Sequence, residues 1–394
     1  MSSWDAEVLV VGAGPAGTVT AALLADAGRD VLILDKAAFP REKPCAEYLS
    51  PGVVDALERV GALQSVCAQP LARPVGIRIH RGDETFLVSY DEGRRRALTV
   101  ARPLLDAALL NHARAAGARF RCAQVTGALV EDGRVVGARL RGNGSPGRLR
   151  ARFVVGADGL HSAIARSLEL NRPARWPKRL GLVARYELDA GLGPVAEMHV
   201  ADHAYCGLAR VADDRVTVSL VVPLDAKPAH EATSAFFERQ LGSLPGVAEV
   251  LAPGTRVGAI RGAAPLARRV RRVAGRGYLL VGDAAGFLDP FTGEGVYRAV
   301  RGAECAAEAA ERALGRRDAF PIGYGKARRA AFADKERVCL LIQAFLASGR
   351  PLEYALRRLR ERPATARVLC AVLGDYGRAR PAGTAAHLFA LLRP

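Results

Sequence analysis

A glycine-rich turn between two apolar segments constrains the fold of this chain more than any other feature. Residues 7–36 read EVLVVGAGPAGTVTAALLADAGRDVLILDK: a strand pattern, the turn, an Ala-rich helical pattern and a second strand pattern. Gly12 permits the tight turn, Gly14 lets the backbone approach a pyrophosphate, and Gly17 lets the helix pack closely on the strand. The segment therefore predicts a βαβ unit that binds a dinucleotide.

The residues around this turn supply the rest of a dinucleotide site. Pro15 and Ala16 begin the helix, whose free N–H groups and partial positive charge face the phosphates. Asp35 ends the second strand, where a carboxylate accepts hydrogen bonds from the adenosine ribose hydroxyls, and Lys36 follows it. An acidic residue at that point favours NAD or FAD over NADP.

Length and composition indicate a globular protein with a reduced interior. The 394 residues are enough for two domains, or for one domain with a large insertion. No apolar run approaches the roughly 20 residues that span a bilayer, and the first strand begins too near Met1 for a signal peptide. The seven scattered cysteines form no CxxC pair. We expect a cytoplasmic protein.

The charge raises the question of an anionic partner. The formal net charge is +17, and all but six of the 57 basic residues are arginines spread along the chain. No nucleic-acid-binding motif accompanies them, so no nucleic acid is expected as a partner. The densest clusters are candidates for peripheral contact with an anionic membrane or for an acidic carrier protein, and a solvated face is the favoured alternative. They are Arg94–Arg96, Arg268–Arg272 and Arg357–Arg362.

The remaining segments alternate between strand and helix patterns. Segments 75–82 and 85–90 are predicted to pair as strands, and Asp132 with Gly133 predicts another hairpin turn. Alternation of apolar and polar residues over 175–260 predicts an antiparallel sheet with one solvated face. From residue 324 onward the pattern is helical.

Three separated motifs together resemble one enzyme family. GAGPAG at 12–17, GADGLHSAIAR at 156–166 and GDAAGFLDPFTGEG at 282–295 occur in this order. They resemble the FAD-dependent oxidoreductases of the p-hydroxybenzoate hydroxylase superfamily, most closely the geranylgeranyl reductase-like group. The resemblance implies an α/β (α+β) fold. A Rossmann-type FAD-binding domain, glutathione reductase 2-like, would carry an inserted antiparallel β-sheet substrate domain and a C-terminal helical region.

The resemblance also divides the chain. Residues 1–72, 96–174 and 261–323 are expected to form the FAD-binding domain. Residues 73–95 and 175–260 are expected to form the substrate domain, which roofs the active site. Residues 324–394 are expected to form the C-terminal helical region.

The same resemblance assigns cofactor contacts. Gly282 and Asp283 match the pair that holds the ribityl chain of the flavin. Pro290 and Gly293 shape the family's loop against the isoalloxazine ring, where a bulkier residue at Gly293 would intrude.

Further contacts follow from the neighbouring motifs. The helix that starts near Gly295 and Val296 is expected to direct its N–H groups at flavin N1 and the C2 carbonyl. Arg102 matches the family's arginine near the flavin and its phosphates. Asp158 lies in a turn that resembles a motif tied to FAD and NAD(P)H, and a turn that merely supports the fold is the equal alternative.

Cys45 is one candidate for catalysis. It lies in KPCAEYLSPG at 43–52, which resembles the Cys-containing segment near the flavin in the reductase group. Glu47 stands where that group often has glycine. Cys45 is expected to tune the flavin or act as a redox partner, or to be a small loop residue packed by the ring. The sequence shows no basic partner that would activate the thiol.

Tyr205 is the other candidate. The prenyl reductases carry a Tyr-x-Trp-x-Phe-Pro pattern where this chain reads YCGLAR at 205–210. Gly207 and Ala209 replace the Trp and the Phe, which predicts a pocket for a bulkier or ring-containing substrate. His199 and His203 lie four residues apart in a region of strand and loop without a carboxylate-rich surround, so no metal site is predicted.

These features predict an FAD enzyme that transfers electrons from NAD(P)H to a hydrophobic small molecule. We favour, from the sequence, an NAD(P)H-dependent monooxygenase of specialised metabolism, in which reduced flavin reacts with oxygen and the substrate is hydroxylated. The alternative is a geranylgeranyl reductase-like flavoprotein that reduces carbon–carbon double bonds of an isoprenoid or polyene, with Tyr205 or Cys45 as the proton source. A non-catalytic FAD electron-transfer protein is the third possibility.

Overall fold

The computed structural model describes residues 4–142, 147–188, 192–212, 214–347 and 350–377. The predicted helical character of residues 378–394 lies outside this set. The strands, in chain order, are β1 (Ala6–Val11), β2 (Val31–Asp35), β3 (Tyr48–Leu49), β4 (Gly76–Arg81), β5 (Glu84–Ser89), β6 (Leu98–Thr99), β7 (Arg119–Cys122), β8 (Val125–Glu131), β9 (Arg134–Leu140), β10 (Gly147–Gly156), β11 (Asn171–Pro173), β12 (Arg179–Glu187), β13 (Ala196–Ala201), β14 (Ala204–Ala212), β15 (Arg215–Pro223), β16 (Thr255–Ala263), β17 (Arg268–Val270), β18 (Ala274–Gly275) and β19 (Tyr278–Leu280).

The helices connect these strands and end the described chain. They are α1 (Pro15–Asp26), α2 (Pro51–Arg59), α3 (Leu63–Cys67), α4 (Arg102–Ala115), α5 (Ala163–Ser167), α6 (Thr233–Gly242), α7 (Pro245–Leu251), α8 (Gly295–Leu314), α9 (Tyr324–Leu346), α10 (Arg350–Glu361) and α11 (Pro363–Leu373). Within the described ranges, none of them has both the length and the apolar character needed to cross a bilayer.

Nearly continuous apolar strands form the centre of the first domain. Strands β7, β2, β1, β10 and β19 lie side by side in this order and run parallel. Helices α1, α4 and α8 contribute to the layer on one face, and the antiparallel pair β8–β9 packs on the other. Because the chain leaves β1 toward β2 and later returns to β10 on the opposite side, a crevice opens at the carboxyl end of β1.

Helix α1 is buried on nearly every side, which explains its composition. Its sequence PAGTVTAALLAD has mostly small and apolar side chains, and nine of its twelve residues are buried. It packs along α8, whose own buried face is largely alanine. Small side chains on both helices let their axes approach closely, and this brings the starts of α1 and α8 to the same end of the sheet.

The second domain is a seven-stranded sheet in the order β16-β12-β15-β14-β13-β4-β5. Both predicted hairpins are present: β4 pairs antiparallel with β5, and β8 with β9 through Asp132 and Gly133, which have positive φ. The antiparallel sheet predicted over 175–260 is confirmed, since all the pairings among β12 to β16 are antiparallel. The edge strand of this group, β13, pairs parallel with β4, which comes from outside that range. Alternation shows which side chains share a face, but strand direction depends on the connection, and β4 comes from a segment far from β13.

The prediction that one face of this sheet is solvated is wrong. Helices α6 and α7 pack on that face, where Phe236 and Phe237 are fully buried among the strand side chains. The other face packs against residues of α9, α10 and α11. The polar residues of the alternating pattern lie mainly near strand ends and on the edge strand β16. Their alternation therefore suggested a solvated face that the sheet does not have.

A buried polar cluster around Asp375 joins the C-terminal helices to one another and to the first domain. Lys335 Nζ of α9 lies 2.5 Å from Asp375 Oδ1, and Ser50 Oγ donates to Asp375 Oδ2 at 2.5 Å. The chain therefore returns from the end of α11 to the segment that begins α2.

Candidate flavin and substrate site

The glycine-rich turn has the geometry that its spacing predicts. Gly12 has φ 102°, and a side-chain carbon there would collide with the carbonyl oxygen of Ala157. A side-chain carbon at Gly17 would collide with the carbonyl oxygen of Gly12. At Gly14 the only atom that such a carbon would meet within 4 Å is Arg41 Nη2, at 3.7 Å. Gly12 and Gly17 thus serve packing, whereas Gly14 leaves a cradle at the start of α1.

Asp35 joins the end of β2 to this cradle. Its Oδ2 accepts a hydrogen bond from the N–H of Ala13 at 2.8 Å, and its Oδ1 accepts one from Ala37 at 3.0 Å. Lys36 is exposed beside it. The carboxylate retains lone pairs for a ribose, and that contact remains a prediction.

Three cationic side chains converge near the cradle. Asp106 is fully buried and pairs with Arg102 at 2.7 Å and with Arg41 at 3.1 Å. Burial lowers the pKa of the neighbouring Lys43; Asp283 opposes this shift, while Arg102 and Arg41 add to it. These cationic side chains beside the cradle suit an anion such as a pyrophosphate. Sequence reasoning missed Arg41, although the basic loop that carries it was a usable signal.

The third motif lies at the start of α8, as predicted. Gly282 has φ 61°, and a side-chain carbon there would lie 2.8 Å from the Cβ of Ala16, so the turns before α1 and α8 are in contact. The carbonyl of Pro290 accepts a hydrogen bond from the N–H of Gly293, whose φ is 65°, closing the loop tightly.

Helix α8 then presents its amino end to this loop. It begins at Gly295, with Val296 in its first turn, and the first four N–H groups of any helix lack partners within it. A side-chain carbon at Gly295 would meet only Phe287, at 3.8 Å. The helix start can therefore be approached by a planar, electron-rich ring edge.

Asp158 has a local structural role. Its Oδ2 accepts hydrogen bonds from the N–H groups of Ala163 and Ile164, at 2.6 and 3.2 Å, and thereby caps the short helix α5. Its Oδ1 is buried without a partner. The capping contacts favour the turn-supporting alternative, and a cofactor contact through Oδ1 remains a prediction.

Cys45 has the basic neighbour that the sequence did not reveal. The Arg102 guanidinium lies beside Cys45, and the N–H of Glu47 donates to the Cys45 Sγ at 3.3 Å. Spacing could not show this, because Arg102 comes from the start of α4. The thiol lies at the junction of the cation cluster with the segment leading to β3.

Glu47 connects the two domains. Its φ of 60° lies in the left-handed region, which favours glycine over other residues. Its buried carboxylate accepts hydrogen bonds from the N–H of Arg102 at 2.7 Å, from Arg185 at 2.5 Å and from Thr217 Oγ1 at 2.5 Å. Since Arg185 and Thr217 belong to the substrate sheet, one side chain ties that sheet to the cation cluster.

Tyr205 lies on the cavity side of the substrate sheet. Its hydroxyl donates to Asp289 Oδ1 at 2.6 Å, and its ring packs edge-on against Phe291 at 5.0 Å between centroids. Burial, with Asp289 nearby, raises the pKa of Tyr205 well above its usual value. On the same strand face, Gly207 and Ala209 stand where the motif has large aromatic side chains, and Met198 packs beside Gly207.

A mainly apolar cavity lies between this sheet and the C-terminal helices. One end reaches the loop before α8. Its lining residues are Tyr48, Ser50, Ile77, Ile79, Val88, Tyr90, Met198, Phe291, Thr292 and Leu373. The hydroxyls of Tyr48 and Tyr90 bond to each other at 3.1 Å, so they satisfy one another in the wall.

His199 has a different partner from the one considered in the sequence. Its ring stacks on His80 at 4.4 Å with planes 3° apart, and its Nε2 bonds to Glu197 Oε2 at 2.8 Å. His203 instead uses its carbonyl to accept a hydrogen bond from Arg179. The lone pairs of the two rings lie in nearly parallel planes and do not converge on one point, so this geometry favours a stacked pair with one His199–Glu197 hydrogen bond over a shared metal ion.

A family model described as an FAD binding domain matches residues 5–310. The chain belongs to this family. It is an FAD-dependent oxidoreductase of the p-hydroxybenzoate hydroxylase superfamily, in the geranylgeranyl reductase-like group, and the predicted fold class is confirmed.

Two relatives show how far the similarity of this oxidoreductase extends. Digeranylgeranylglycerophospholipid reductase 1 of Methanopyrus kandleri is 33% identical over 321 residues, which cover 78% of this chain and 81% of the relative. Menaquinone reductase of Mycobacterium tuberculosis is 28% identical over 355 residues, 83% of each chain.

Two solved structures share the fold. A flavin-dependent brominase has a TM-score of 0.84 at 20% identity, with 98% of each chain covered. A geranylgeranyl bacteriochlorophyll reductase-like protein from Thermoplasma acidophilum has a TM-score of 0.82 at 22% identity, with 98% of this chain and 99% of that protein covered.

The residues of this oxidoreductase fit the cofactor of its family. The open face of Gly14 and the cations Arg41, Lys43 and Arg102 suit the pyrophosphate, and the start of α8 suits the polar edge of the flavin ring. Individual contacts with FAD remain predictions, including those of the residues named from the sequence.

Several of the basic clusters are paired within this oxidoreductase. Arg95 pairs with Asp55 at 2.7 Å, and Arg357 and Arg360 both pair with Glu84. These contacts favour a solvated face for the two clusters concerned. Contact with a membrane or an acidic carrier remains a prediction.

Proposed function

We propose that this protein reduces carbon–carbon double bonds of an isoprenoid, with FAD as the hydride carrier. The observation that carries the proposal is the apolar cavity, one end of which reaches the loop before α8. Its apolar walls suit a hydrocarbon chain, which can enter only if the walls move apart, because the cavity has a volume of about 20 Å³ in this structure. The relatives that act on digeranylgeranyl lipid and on menaquinone, by their names, support it. The sequence alone favoured a monooxygenase.

Each part of the cavity has a separate task. FAD, once reduced, supplies the hydride to one carbon of the double bond. Ile77, Ile79 and Val88 on the sheet and Leu373 on α11 bind the chain and exclude water from it. The second carbon takes a proton, for which we propose the Cys45 thiol.

The choice of Cys45 over Tyr205 rests on their partners. The Tyr205 hydroxyl directs its proton at the Asp289 carboxylate, and its raised pKa makes it a weak acid. Cys45 is only partly buried and lies beside Arg102, whose positive charge would face the sulfur that gives up the proton. Tyr205 is then a positioning residue for the loop.

The reductant is proposed to be NADH or NADPH. In this proposal FAD takes the dinucleotide site that includes Asp35. The nicotinamide nucleotide therefore cannot use that site and reduces the flavin in a transient complex. Stopped-flow mixing of the anaerobic holoenzyme with each nucleotide, followed by flavin absorbance, distinguishes them. Failure of both to bleach the flavin would indicate another electron donor.

The experiment for the reaction itself uses the reduced holoenzyme without oxygen. Incubation with a digeranylgeranyl lipid should give products heavier by two hydrogens per reduced bond, measured by mass spectrometry. The Cys45→Ala variant should bind the lipid and lose most of the turnover. An unchanged lipid under these conditions, with a bleached flavin, would refute the proposal.

Monooxygenation is the second candidate. Gly207 and Ala209 remove two large aromatic side chains from the cavity face, which gives room for a ring-containing substrate. In that case substrate-dependent NAD(P)H oxidation should consume oxygen, and one oxygen atom should enter the product.

A further inference from the structure

Strands β11 and β17 pair into a short ribbon whose surroundings in the chain carry only positive charge. Residues 170–178 contain three basic residues and residues 266–272 contain four, and neither segment contains Asp or Glu. Six of these seven side chains are exposed, and none of the six forms an ion pair within the described part of the chain. These six side chains, which we call the basic ribbon, belong to Arg172, Arg175, Lys178, Arg269, Arg271 and Arg272.

The basic ribbon differs from the clusters at 94–96 and 357–362, which contain arginines paired with acidic residues. Its strand register even places two like charges side by side, because Arg172 is the direct partner of Arg269. Like charges in directly opposite positions destabilise a strand pair, so the stability of the fold does not account for this arrangement. A negatively charged counterpart is therefore expected outside the chain.

Apolar side chains are exposed at the end of the basic ribbon. Trp176 lies three residues after β11 and is 43% exposed. Leu224, whose N–H donates to the carbonyl of Lys178 at 3.1 Å, is 38% exposed. Tryptophan favours the interface between lipid headgroups and acyl chains, and lysine and arginine are attracted to anionic headgroups. The combination fits an anionic membrane better than an acidic protein, because a strongly acidic protein surface offers no apolar layer for these two side chains.

The basic ribbon is attached to the loop that leads to α8. The N–H of Arg268 donates to the carbonyl of Phe287 at 2.8 Å, and the N–H of Phe287 donates to the carbonyl of Arg268 at 3.0 Å. Leu266, two residues before Arg268, packs in the same apolar cluster as Tyr205 and Phe291. The ribbon is therefore joined to the structure that forms one end of the substrate cavity, where Phe291 contributes to the wall.

We propose that the basic ribbon docks this protein on the surface of a membrane that contains anionic lipid. The cations face the lipid headgroups, and Trp176 and Leu224 enter the interface between headgroups and acyl chains. Docking brings the substrate cavity close to the phase in which isoprenoid lipids dissolve. This inference goes beyond the proposed function, since it assigns an interaction surface and its partner.

Vesicle binding by the FAD-loaded protein tests the docking surface. Co-sedimentation compares vesicles of phosphatidylcholine alone with vesicles that also contain phosphatidylglycerol, at low and at high salt. The wild type should bind the anionic vesicles at least about tenfold more tightly, and this binding should weaken at high salt because ions screen the charges. Absence of binding to the anionic vesicles at low salt would overturn the inference.

Two double variants with the same net charge locate the contact. Arg172→Gln with Arg269→Gln removes two cations of the basic ribbon and should weaken binding on the order of 30-fold, at about 1 kcal/mol for each cation. Arg114→Gln with Arg121→Gln removes two equally exposed cations elsewhere in the first domain. Arg121 lies on β7, at the opposite edge of the central sheet from β18, into which β17 leads.

This control pair should stay within about twofold of the wild type, because charges more than a Debye length from the membrane are screened. Equal weakening by the two double variants would show that overall charge drives binding, and would overturn the assignment to the basic ribbon. All four arginines are exposed, and retained flavin with an unchanged melting temperature verifies that both variants are folded.

Trp176 supplies a second readout. The sequence has two tryptophans, so in a Trp4→Phe protein the fluorescence reports on Trp176 alone. Its emission should shift to shorter wavelength when anionic vesicles are added, because the ring leaves water. Trp176→Ala should weaken vesicle binding about tenfold, as expected for the apolar area that the ring would bury. Binding without a shift would overturn the membrane assignment and would indicate a polyanionic partner such as an acidic protein.

The outcomes separate docking from the proposed reaction, because the vesicles contain no isoprenoid substrate. A protein that docks through the basic ribbon but leaves a digeranylgeranyl lipid unchanged would support the docking surface and refute the proposed function. A protein that reduces the lipid in detergent but does not bind anionic vesicles would refute the docking surface and leave the proposed function intact.

Discussion

Two glycines of the same turn differ in what an added methyl group would touch, and this gives a matched pair of variants. Gly17→Ala would drive a carbon into the Gly12 carbonyl, so the free energy of unfolding should fall by about 1–3 kcal/mol. Gly14→Ala has room in the protein and should leave the stability of the FAD-free form nearly unchanged. It should instead weaken FAD binding, because its methyl group enters the cradle.

Denaturant unfolding of both FAD-free variants, and FAD titration of the folded Gly14→Ala protein, check this pair. Equal loss of stability in the two variants would contradict the separate roles given to them.

Glu47 has a strained backbone conformation, and its carboxylate makes stabilising hydrogen bonds. Two variants separate the effects of the strain and of the hydrogen bonds. Glu47→Ala removes the acceptor of Arg185, Thr217 and the Arg102 N–H, and should cost about 3 kcal/mol. Glu47→Gly removes the same contacts but relieves the φ of 60°, so it should be about 1 kcal/mol more stable than Glu47→Ala. Thermal melts in parallel measure the difference, and identical melting temperatures would refute the strain argument.

Asp289 gives a prediction for pH. Burial raises its pKa from 3.8 to about 6 in the folded state, so the folded state holds the proton more tightly than the unfolded one. Its contribution to stability therefore falls as pH rises from about 4 to 6 and is constant above, a change of about 3 kcal/mol. Asp289→Asn lacks this dependence.

Unfolding free energies of the wild type and Asp289→Asn between pH 4 and 8 measure this contribution. The difference between the two proteins should change in favour of Asp289→Asn up to about pH 6. A difference that stayed constant over the whole range would show that Asp289 does not titrate in this way.

At the scale of elements, the alanine face of α8 sets how closely α8 approaches α1. Ala306→Leu places a large side chain where the existing one is fully buried, and should destabilise the protein by about 1–3 kcal/mol and loosen FAD. Glu308→Leu places the same leucine side chain on the exposed face of the same helix and is the control. Melting temperature and retained flavin measure both; equal effects would mean that the contact with α1 is not limiting.

Element types were predictable where local chemistry determines them. The βαβ start and both hairpins follow from glycine spacing, apolar runs and turn residues, all of which act within a few positions. The parallel pairing of β13 with β4 and the covering of the sheet by α6 and α7 depend on how distant segments return, and alternation carries no signal for either. The site shows the same division. The roles of Gly12 to Gly17 could be predicted from their spacing, whereas the Arg102–Cys45 and Tyr205–Asp289 contacts could not, because they join side chains far apart in the chain.

At the scale of the whole molecule, the Lys335–Asp375 pair joins α9 to the segment after α11, and Ser50 joins Asp375 to the first domain. Lys335→Met or Asp375→Asn alone leaves one buried polar group unpaired, and each should cost about 3–5 kcal/mol. The double variant removes the unpaired charge and should recover much of that loss. Double-mutant analysis of chemical denaturation gives the coupling energy, and strictly additive losses would contradict a direct pair.

The parallel contact between β13 and β4 affects how the polypeptide is made. On the ribosome, the β4–β5 hairpin emerges more than a hundred residues before the strand that covers its inner edge, since β4 ends at Arg81 and β13 starts at Ala196. Nascent chains must carry that open edge while residues 82–195 are added, and open edges recruit other strands. Slow synthesis between the two segments should therefore increase aggregation in the cell, whereas the finished protein, with the edge covered, should be insensitive to it.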